Sequence, residues 1–457
     1  LDLEMASKPS IPKGTRDFLP QEVIKRKYMF GILEQVFLRH GFAPIETPSL
    51  ELMQTLTGKY GEEGDRLLFK ILNSGNYLEE ADAQALENKD SAKLASSIAK
   101  RGLRYDLTVP FARFVVMNRE KIAFPFKRYQ IQQVWRADRP QKGRYQEFYQ
   151  CDCDVVGSKS LLYEADLLSI FSEAFELLGL EVAIHINHRG ILAGIAEAAG
   201  IADHFIDMTI CIDKLDKIGE EAVKNEMIKR GIPESATDQI LQNIKITSID
   251  ELAIKLSDTP SGKAGIEDLR KIFSFLPGYN LKQEVIFTPA LARGLSYYTG
   301  FIVEVLSKQT EMGSIGGGGR YDNLTGAFGM PDVPGVGISF GAERIYDIME
   351  TLDKFPKNIG SQVNALIICL DEESMLTGLR LTQYLREFGI SSDQYPEVVK
   401  MNKSMKYAND LKIPYVIIIG EEERKNNTPT LKNMASGNQE KLEWPFLIDK
   451  IKSELHG

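Results

Sequence analysis

Hydrophobic and polar positions in the first third of the chain follow helix spacing in one segment and strand spacing in others. Residues 21–40 carry apolar side chains on one helical face and stop at Gly41, which predicts an amphipathic helix. Residues 42–51 favour a strand that is interrupted at Pro48. Residues 126–156 contain two alternating segments around a polar turn, so we expect two antiparallel strands joined by a long basic loop.

The pattern is helical in the middle of the chain and returns to strands afterwards. Residues 164–180 have regular apolar spacing and predict a helix. Residues 189 to about 280 are mostly helical in pattern with mixed charge, and we interpret them as an inserted helical module. Strand patterns resume over residues 284–306 and continue through the glycines at 316–319, and residues 335–352 predict a strand that passes into a helix.

A domain boundary is expected at residues 353–363, which are polar and contain Pro and Gly. After it, strand and helix patterns alternate, which predicts a small α/β sheet with largely parallel strands. The chain is therefore expected to have an α+β fold. A sheet core with helices and a helical insertion would be followed by an α/β domain.

Composition limits the class of protein. The chain has 457 residues, 43% hydrophobic and 26% charged, as expected for a globular chain of two or three domains. No run approaches 18 consecutive apolar residues, and the N-terminal segment lacks the apolar core of a signal peptide, so we expect no membrane association. The four cysteines form no C-x-x-C pair, which argues against a zinc ribbon or redox motif and favours the cytoplasm.

Charge is distributed unevenly along the chain. The formal net charge is −9, which gives no general sign of nucleic-acid binding. Residues 89–144, however, contain 14 Lys or Arg against 4 Asp or Glu. Such a segment favours an anionic ligand, either the phosphates of a nucleotide, or RNA, or both. The alternative is a basic face that contacts only water.

The predicted hairpin combines groups suited to a zwitterion joined to a phosphate. Arg136 ends the outgoing strand, and three further cations lie in the loop: Arg139, Lys142 and Arg144. Four side chains, spaced two residues apart, share one face of the return strand: Phe148, Gln150, Asp152 and Asp154. A carboxylate can accept an amine or a ring N–H, and guanidinium groups bind phosphate oxygens in a bidentate manner. The alternative is a polar surface hairpin with cross-strand ion pairs.

Two other segments are candidates for ligand contacts. Asp106 and Thr108 are predicted to share a strand face, where they could bind an ammonium group, although an ordinary half-exposed strand has the same pattern. Gly335 and Gly337 lack side chains on one strand face, so a planar base could lie there with Arg344 following on the helix. Close helix–sheet packing is the alternative, because the glycine spacing differs from the dinucleotide-binding fingerprint.

The segment LARGLSYYTG, residues 291–300, places a cation and two phenols at the predicted end of a buried strand. A strand would direct Tyr297 and Tyr298 to opposite faces. The alternative is a strand edge with aromatic packing and a solvated Arg293.

Six segments together carry a resemblance: KGTRDFLP (13–20), the predicted helix and strand that end at Pro48, WRADRPQKGRYQEFYQCD (135–152), LARGLSYYTG, GGGGRYDNL (316–324) and GVGISFGAERI (335–345). With them the chain resembles the histidyl-tRNA synthetases, a family of class II aminoacyl-tRNA synthetases, over nearly its whole length. The second, third and sixth segments are similar to class II motifs 1, 2 and 3. The fourth and fifth are similar to the two histidine-specific signatures.

The resemblance implies a fold and a reaction. It implies a class II antiparallel sheet core over residues 1–355, with the insertion at about 189–280, and an α/β anticodon-binding domain over 362–457. The implied activity is ATP-dependent ligation of L-histidine to tRNA(His) through histidyl-adenylate. ATP with Mg2+, a homodimer formed through motif 1 and a cytoplasmic location are implied as well.

The resemblance also implies roles for individual residues. Arg136 and Arg293 would be catalytic and would contact the α-phosphate of ATP. Phe148 and Arg344 would enclose the adenine. The histidine substrate would be bound by Asp106, Thr108, Gln150, Asp154, Tyr297, Tyr298 and Tyr321. The first three of these would take its α-ammonium group, and Asp154, Tyr298 and Tyr321 would surround the imidazole.

The sequence departs from the family pattern at two positions. Ser296 stands where family members often have aspartate, and Asp154 where they often have glutamate. A rival interpretation is a catalytically silent, histidine-sensing paralogue of the kind that regulates histidine biosynthesis. Such paralogues typically lack the anticodon-binding domain and lose active-site residues, whereas this chain has both.

Overall fold

The computed structural model describes residues 9–141, 143–292, 298–356, 359 and 363–456. They form two compact units, one containing Lys27–Lys354 with the segment that ends at Asp17, and one containing the chain from Phe355 onward with Phe18–Arg26. Within the described ranges, no helix is long and apolar enough to cross a membrane.

The strands, in chain order, are β1 (Ala43–Pro44), β2 (Leu50–Leu52), β3 (Lys70–Ile71), β4 (Arg101–Leu103), β5 (Phe126–Trp135), β6 (Glu147–Val156), β7 (Val182–His188), β8 (Glu284–Phe287), β9 (Phe301–Ser307), β10 (Gly316–Arg320), β11 (Gly335–Gly341), β12 (Ala365–Cys369), β13 (Ser392–Gln394), β14 (Tyr415–Ile419), β15 (Thr430–Asn433) and β16 (Gln439–Lys441).

The α-helices are α1 (Pro20–Arg39), α2 (Met53–Leu56), α3 (Gly61–Arg66), α4 (Ala83–Glu87), α5 (Ser91–Ile98), α6 (Thr108–Met117), α7 (Leu162–Leu177), α8 (Arg189–Ala198), α9 (Phe205–Ile212), α10 (Leu215–Ile218), α11 (Glu220–Lys229), α12 (Glu234–Asn243), α13 (Ile249–Lys255), α14 (Pro260–Phe275), α15 (Ala342–Thr351), α16 (Met375–Glu387), α17 (Met401–Asp410), α18 (Glu421–Asn426) and α19 (Trp444–His456).

An eight-stranded sheet forms the core of the larger unit, in the order β1-β5-β6-β11-β10-β9-β7-β8. Its five inner pairings, from β5/β6 to β9/β7, are antiparallel, and its two edge pairings, β1/β5 and β7/β8, are parallel. The predicted hairpin is confirmed as β5 and β6, which pair from Phe126↔Val156 to Trp135↔Glu147. The predicted α+β fold with an antiparallel core is therefore correct. A separate small sheet has three strands in the order β2-β4-β3.

One face of the large sheet, called here the outer face, is apolar and covered by α1 and α7. Phe340 of β11 lies 4.7 Å from the ring of Phe171 on α7 and 5.8 Å from that of Phe37 on α1, centroid to centroid. Cys151 and Cys153 are fully buried and lie opposite Phe340 and Ile338 of β11. Strand alternation therefore directs the neighbouring acids to the other face, as the sequence predicts.

A charged cluster fastens α1 and β5 to α7 at the edge of the outer face. His40 donates to Asp166 Oδ1 at 3.0 Å and to Glu173 Oε2 at 2.9 Å. Lys127 of β5 donates to Asp166 Oδ2 at 3.0 Å. Burial favours the neutral imidazole, but the hydrogen bonds to the two carboxylates outweigh it and raise the pKa of His40 above 6.5.

Residues 189 to about 280, with their helical pattern, contain the helices α8 to α14, between β7 and β8. The first and last of these helices pack closely because glycines lie at their contact. A Cβ added at Gly194 would lie 2.4 Å from the Cα of Gly262, nearer than any side chain allows. Thr259 Oγ1 would be 2.4 Å from a Cβ added at Gly262.

The smaller unit contains a five-stranded sheet in the order β13-β12-β14-β15-β16. Its β13, β12 and β14 are parallel, whereas β15 and β16 are added antiparallel. The prediction of a largely parallel sheet therefore holds only for the part that helices connect. The antiparallel part is a polar hairpin, in which every residue of β16 is exposed.

The strand pattern that continues through the glycines at 316–319 is confirmed, because these residues form β10. Two local predictions are wrong. Tyr298 does not lie in a strand, because β9 begins only at Phe301. Thr108 does not share a strand face with Asp106, since it is the first residue of α6. In these short segments the contacts of the folded protein, and not the local two-residue alternation, determine the backbone conformation.

Candidate active site

The second face of the large sheet, called here the polar face, brings the candidate residues together. The register places Arg128 opposite Asp154 and Gln130 opposite Asp152 across β5 and β6. On the other side of β6, Ser339 of β11 lies opposite Asp152. Directly opposed residues on antiparallel strands direct their side chains to the same face, so polar groups from three strands converge.

Asp154 is fixed through both of its carboxylate oxygens. The hydroxyl of Tyr321 donates to Oδ1 at 2.5 Å, and Nη2 of Arg128 lies 2.7 Å from Oδ2. The side chains of Arg128 and Asp154 are 0% and 3% exposed, so this ion pair is shielded from water. Burial raises the pKa of Asp154, and the Arg128 guanidinium and the Tyr321 hydrogen bond oppose that shift.

The glycines of β11 make room for these side chains. A Cβ added at Gly337 would lie 1.9 Å from Oδ1 of Asp154, and one at Gly335 would lie 2.4 Å from the ring of Tyr321. The expectation of a flat glycine surface for a planar base is therefore wrong. The space above these glycines holds the carboxylate and the phenol instead.

Asp106 is buried at the start of α6, on the polar side of the core. Its Oδ1 accepts hydrogen bonds from the Tyr60 hydroxyl at 3.0 Å and from the backbone N–H of Val109 at 3.1 Å. Asp106 thus satisfies one backbone N–H of the first turn of α6, in which Thr108 is the first residue. Burial, followed by the charge of Asp106, raises the pKa of Tyr60 well above 10.

Gln150 and Asp152 are linked through Ser339. Gln150 Nε2 donates to Ser339 Oγ at 3.2 Å, and Ser339 donates a side-chain hydrogen bond to the carboxylate of Asp152. Gln150 Oε1 and Asp152 Oδ1 are buried acceptors without a hydrogen-bond partner in the described part of the chain. Buried acceptors in this state suit a ligand that brings N–H donors.

The pKa of Asp152 is raised from 3.8 to about 7, mainly because the carboxylate is buried. The positive charge of Arg128 lowers it, and the neighbouring charge of Asp154 raises it. The polar face therefore contains a carboxyl group that changes charge near neutral pH.

Arg136 lies at the end of β5, where two aromatic rings hold its guanidinium. Its Cζ is 4.3 Å from the ring centroid of Tyr105 and 5.2 Å from that of Phe148, and its Nε donates to the Tyr105 carbonyl at 3.1 Å. Phe148 begins the row that continues along β6 to Gln150 and Asp154. Residues on the same face of a strand are spaced by about 7 Å, so the two ends of the row are well separated. One end is aromatic and cationic, and the other end carries carboxylates.

Arg344 on α15 contacts two loops at the aromatic end. Its Nη1 donates to the Ser314 carbonyl at 2.6 Å and its Nε to the Gly143 carbonyl at 3.3 Å. The adjacent Glu343 pairs with Arg16, whose guanidinium carbon lies 3.5 Å from the centroid of the Tyr145 ring. Arg16 is thereby attached to the β5–β6 loop.

Tyr298 lies at the carboxylate end of the row. A Cβ added at Gly319 would be 2.9 Å from its ring, and Tyr298 packs in the same apolar cluster as Tyr321. Arg293, Ser296 and Tyr297 lie outside the described residues, and so does Lys142 of the hairpin loop. Of the eleven candidate side chains, the structure brings seven together around the row: Asp106, Arg136, Phe148, Gln150, Asp154, Tyr298 and Tyr321. Thr108 follows Asp106 as the first residue of α6. Arg344 reaches the aromatic end of the row.

Sequence reasoning missed Arg128, Ser339 and Tyr60. Arg128 could have been found, because pairing the two predicted strands places it opposite Asp154. Ser339 lies on the strand face that was interpreted as free of side chains. Tyr60 comes from a segment without a regular pattern, so only the tertiary fold connects it to Asp106.

The fold is that of a class II aminoacyl-tRNA synthetase. Residues 76–345 match the family model for histidyl-tRNA synthetase, and residues 364–454 match the model for the anticodon binding domain. A histidine–tRNA ligase from Christiangramia forsetii is 51% identical over 456 residues, which cover 98% of this chain and 100% of the relative. The chain belongs to the histidyl-tRNA synthetase family.

Solved structures agree with this assignment. A crystal structure of histidyl-tRNA synthetase from Nostoc sp. PCC 7120 is 30% identical, with a TM-score of 0.82, over 97% of this chain and 99% of that one. A structure described as an ATP phosphoribosyltransferase regulatory subunit/histidyl-tRNA synthetase from Bacillus halodurans C has a TM-score of 0.72 over 91% of this chain and 100% of that one. At 21% identity, the second similarity concerns the fold alone.

Proposed function

We propose that the polar face is the site where this chain activates L-histidine with ATP and transfers it to tRNA(His), as a histidine–tRNA ligase. One observation carries the assignment of the site. Phe148, Gln150 and Asp154 follow one another on one face of β6, from the cation of Arg136 to the buried carboxylate. A row of this composition suits a molecule with a nucleotide at one end and a basic ring at the other.

Histidine would bind at the carboxylate end of the row. Asp154 accepts the ring N–H, and because the Tyr321 proton is committed to Asp154, the Tyr321 oxygen remains available as an acceptor. Tyr298, and Tyr297 by family resemblance, complete the ring site. The α-ammonium group is taken by Asp106, Thr108 and the buried Oε1 of Gln150.

ATP would bind at the aromatic end. Phe148 and Arg344 enclose the adenine, while Arg136 and Arg293 contact the α-phosphate. The histidine carboxylate attacks this phosphorus, pyrophosphate leaves, and histidyl-adenylate forms. The protein positions the two reactants and stabilises the negative charge that develops on the phosphate oxygens. The terminal ribose hydroxyl of the tRNA then attacks the acyl carbon and releases AMP.

Selectivity would follow from the pairing requirements of the ring. A site that hydrogen-bonds both ring nitrogens leaves buried groups unpaired when an analogue lacks them, which typically discriminates by about 10⁴-fold or more. Arg293→Ala is expected to lower the rate of adenylate formation with little loss of histidine binding. Turnover near that of the wild type would contradict the role proposed for Arg293.

Magnesium enters the proposal only together with ATP. The described residues contain no group of three or more His, Cys, Asp or Glu side chains that could hold a metal ion. Mg2+ at nucleotide sites is usually held by substrate phosphates with one or two carboxylates.

The remaining proposals concern assembly and location. The smaller unit would bind the anticodon of tRNA(His), since its residues 364–454 match that family model. A homodimer is proposed from the similarity of α1 and the following strands to class II motif 1. A cytoplasmic location is proposed because all four cysteines are buried and free, as expected in a reducing compartment.

ATP–pyrophosphate exchange, run with each of the twenty amino acids in turn, tests the reaction and the site. Exchange is expected with histidine alone. Asp154→Asn is expected to raise the histidine KM, with Asp166→Asn as a control because Asp166 accepts hydrogen bonds at the edge of the outer face. A folded wild-type protein that binds histidine but shows no exchange would refute the ligase and favour the sensor.

A further inference from the structure

The polar face contains two buried charges to which the proposed reaction gives no role. Arg128 is 0% exposed and lies directly opposite Asp154 on the neighbouring strand. Asp152 is 2% exposed and lies two residues from both Gln150 and Asp154 on the same face of β6. Charges buried this fully are costly unless their partners compensate for the lost hydration. Their partners are the recognition side chains themselves.

Arg128 acts on the ring end of the site. Its Nη2 pairs with Asp154 Oδ2 at 2.7 Å, and its guanidinium carbon lies 4.3 Å from the ring centroid of Phe111 on α6. Nε and Nη1 have no hydrogen-bond partner among the described residues. The guanidinium therefore holds the Asp154 carboxylate from one side, while Tyr321 holds it from the other.

Asp152 acts on the ammonium end through two hydrogen bonds. An ionised Asp152 can only accept, so the hydroxyl of Ser339 must donate to it. The oxygen of Ser339 is then left to accept from Gln150 Nε2. With its amino group committed, Gln150 presents Oε1 to the site, which is the orientation that an ammonium group requires.

We propose that Arg128 and Asp152 are positioning residues for the substrate histidine: Arg128 orients Asp154 toward the imidazole, and Asp152, through Ser339, orients the amide of Gln150 toward the α-ammonium group. This inference rests on the proposed histidine site. The two residues also compensate each other, because the charge of Arg128 helps to keep Asp152 ionised.

The key variant is Asp152→Asn, which keeps the volume and removes the charge. The new amide can donate, so Ser339 can reverse its hydrogen bonds and the Gln150 amide can turn its NH2 toward the ammonium. Loss of a charge-assisted hydrogen bond of this kind corresponds to about a 10- to 100-fold rise in the histidine KM. The ATP KM is expected to change less than threefold, since the aromatic end of the row is untouched.

Folding should survive this change. The carboxyl is buried, so its pKa is raised from 3.8 to about 7 and the folded state prefers its protonated form. The folded state therefore loses stability relative to the unfolded chain as the pH rises from about 4 to 7, and the neutral Asn escapes that loss. Ser339→Ala, which removes the same link without altering any charge, serves as a second variant with the same expected rise in KM.

A pH profile separates positioning from packing. The pKa of Asp152 reflects burial, Arg128, Asp154, Ser339 and Asp106. As the pH falls through about 7, Asp152 takes up a proton and can donate to Ser339, so the wild-type histidine KM should rise. The ratio of the Asp152→Asn KM to the wild-type KM should consequently fall toward one at low pH, because titration of the substrate affects both enzymes equally.

Matched control variants are available on the outer face of the same sheet. Lys127→Met and Asp166→Asn break the Lys127–Asp166 pair, 3.0 Å long, at the edge of the outer face. Both are expected to leave the histidine KM within twofold, whereas Arg128→Met should raise it at least tenfold. The combination of Arg128→Met with Asp152→Asn should raise it by less than the product of the two single effects.

The outcomes distinguish this inference from the site on which it rests. An unchanged histidine KM in Asp154→Asn would refute the proposed histidine site. A raised KM in Asp154→Asn with values within twofold of wild type in folded Asp152→Asn and Ser339→Ala would refute the positioning role alone. Equal increases in the histidine and ATP KM values would also refute it, because they indicate a general disturbance of the sheet.

Discussion

Gly337→Ala is the smallest change that tests how the site is built. A Cβ at this position would lie 1.9 Å from Oδ1 and 2.4 Å from Cγ of Asp154. Asp154 would have to move by at least about 1 Å to restore an ordinary contact distance. Both of its carboxylate oxygens are already engaged, by Tyr321 and Arg128, so any such movement disrupts one of these interactions.

The expected magnitude follows from those contacts. Overpacking a filled space typically costs about 1–3 kcal/mol, and a hydrogen bond to a charged group contributes about 1.5–3 kcal/mol. We therefore expect Gly337→Ala to cost about 3–5 kcal/mol, divided between the free energy of unfolding and the binding of histidine. A folded variant should show at least a hundredfold rise in the histidine KM, if most of the cost appears in binding.

Urea denaturation and pyrophosphate exchange measure the two parts. Gly317→Ala is the control, because it lies on the same face of the neighbouring strand and its nearest contact would be a carbonyl oxygen at 3.2 Å. In an Asp154→Ala background, adding Gly337→Ala should cost less than about 1 kcal/mol, since the obstructing carboxylate is gone. A full cost in that background would show that the backbone, not Asp154, excludes the side chain.

Three further predictions use different measurements. Tyr321→Phe should raise the histidine KM about tenfold. The control Tyr129→Phe should leave the histidine KM unchanged, because it removes a buried hydroxyl on the outer face that donates to Glu34 at 2.6 Å. Equal effects of the two variants would refute the assignment of Tyr321 to the histidine site. The pKa of His40 in the folded protein is raised above 6.5, so its stabilising contribution is complete below pH 6.5 and is lost as the pH rises through the folded-state pKa. The free energy of unfolding should therefore fall over that pH range in the wild type but not in His40→Gln. Burial raises the pKa of Cys153 well above 9, so a thiol reagent at pH 8 should label Cys153 only after the protein is unfolded. Labelling of Cys153 in the native protein would contradict its position under α1 and α7.

The regular parts of this structure follow from local patterns. The β5–β6 hairpin, the helices α8 to α14 and the strand leading into α15 all have periodic sequences, and the structure contains these elements. The strand β10 consists of four successive glycines and an arginine, which carry no hydrophobic alternation of their own. Its formation depends on pairing with β9 and β11, where the closeness of the backbones excludes side chains.

The candidate site was predictable on one strand and not across strands. Alternation alone places Gln150, Asp152 and Asp154 on one face, because they lie on a single strand. The partners that fix them come from elsewhere in the chain, namely Arg128 on β5 and Ser339 on β11. Thr108 was misplaced because a helix start, at which Asp106 accepts a backbone hydrogen bond, has the same short polar alternation as a strand.

The alternation of buried acids with buried cysteines along β6 also affects how the chain folds. If β6 paired with β5 one residue out of step, Asp152 and Asp154 would turn toward Phe340 and Phe171. Carboxylates facing that aromatic layer would lose Arg128 and the hydroxyls of Tyr321 and Ser339, at a cost of several kcal/mol each. The groups that form the proposed substrate site would therefore also disfavour the shifted strand register during folding. A chain that pairs β5 and β6 in the correct register forms its carboxylate pocket in the same step.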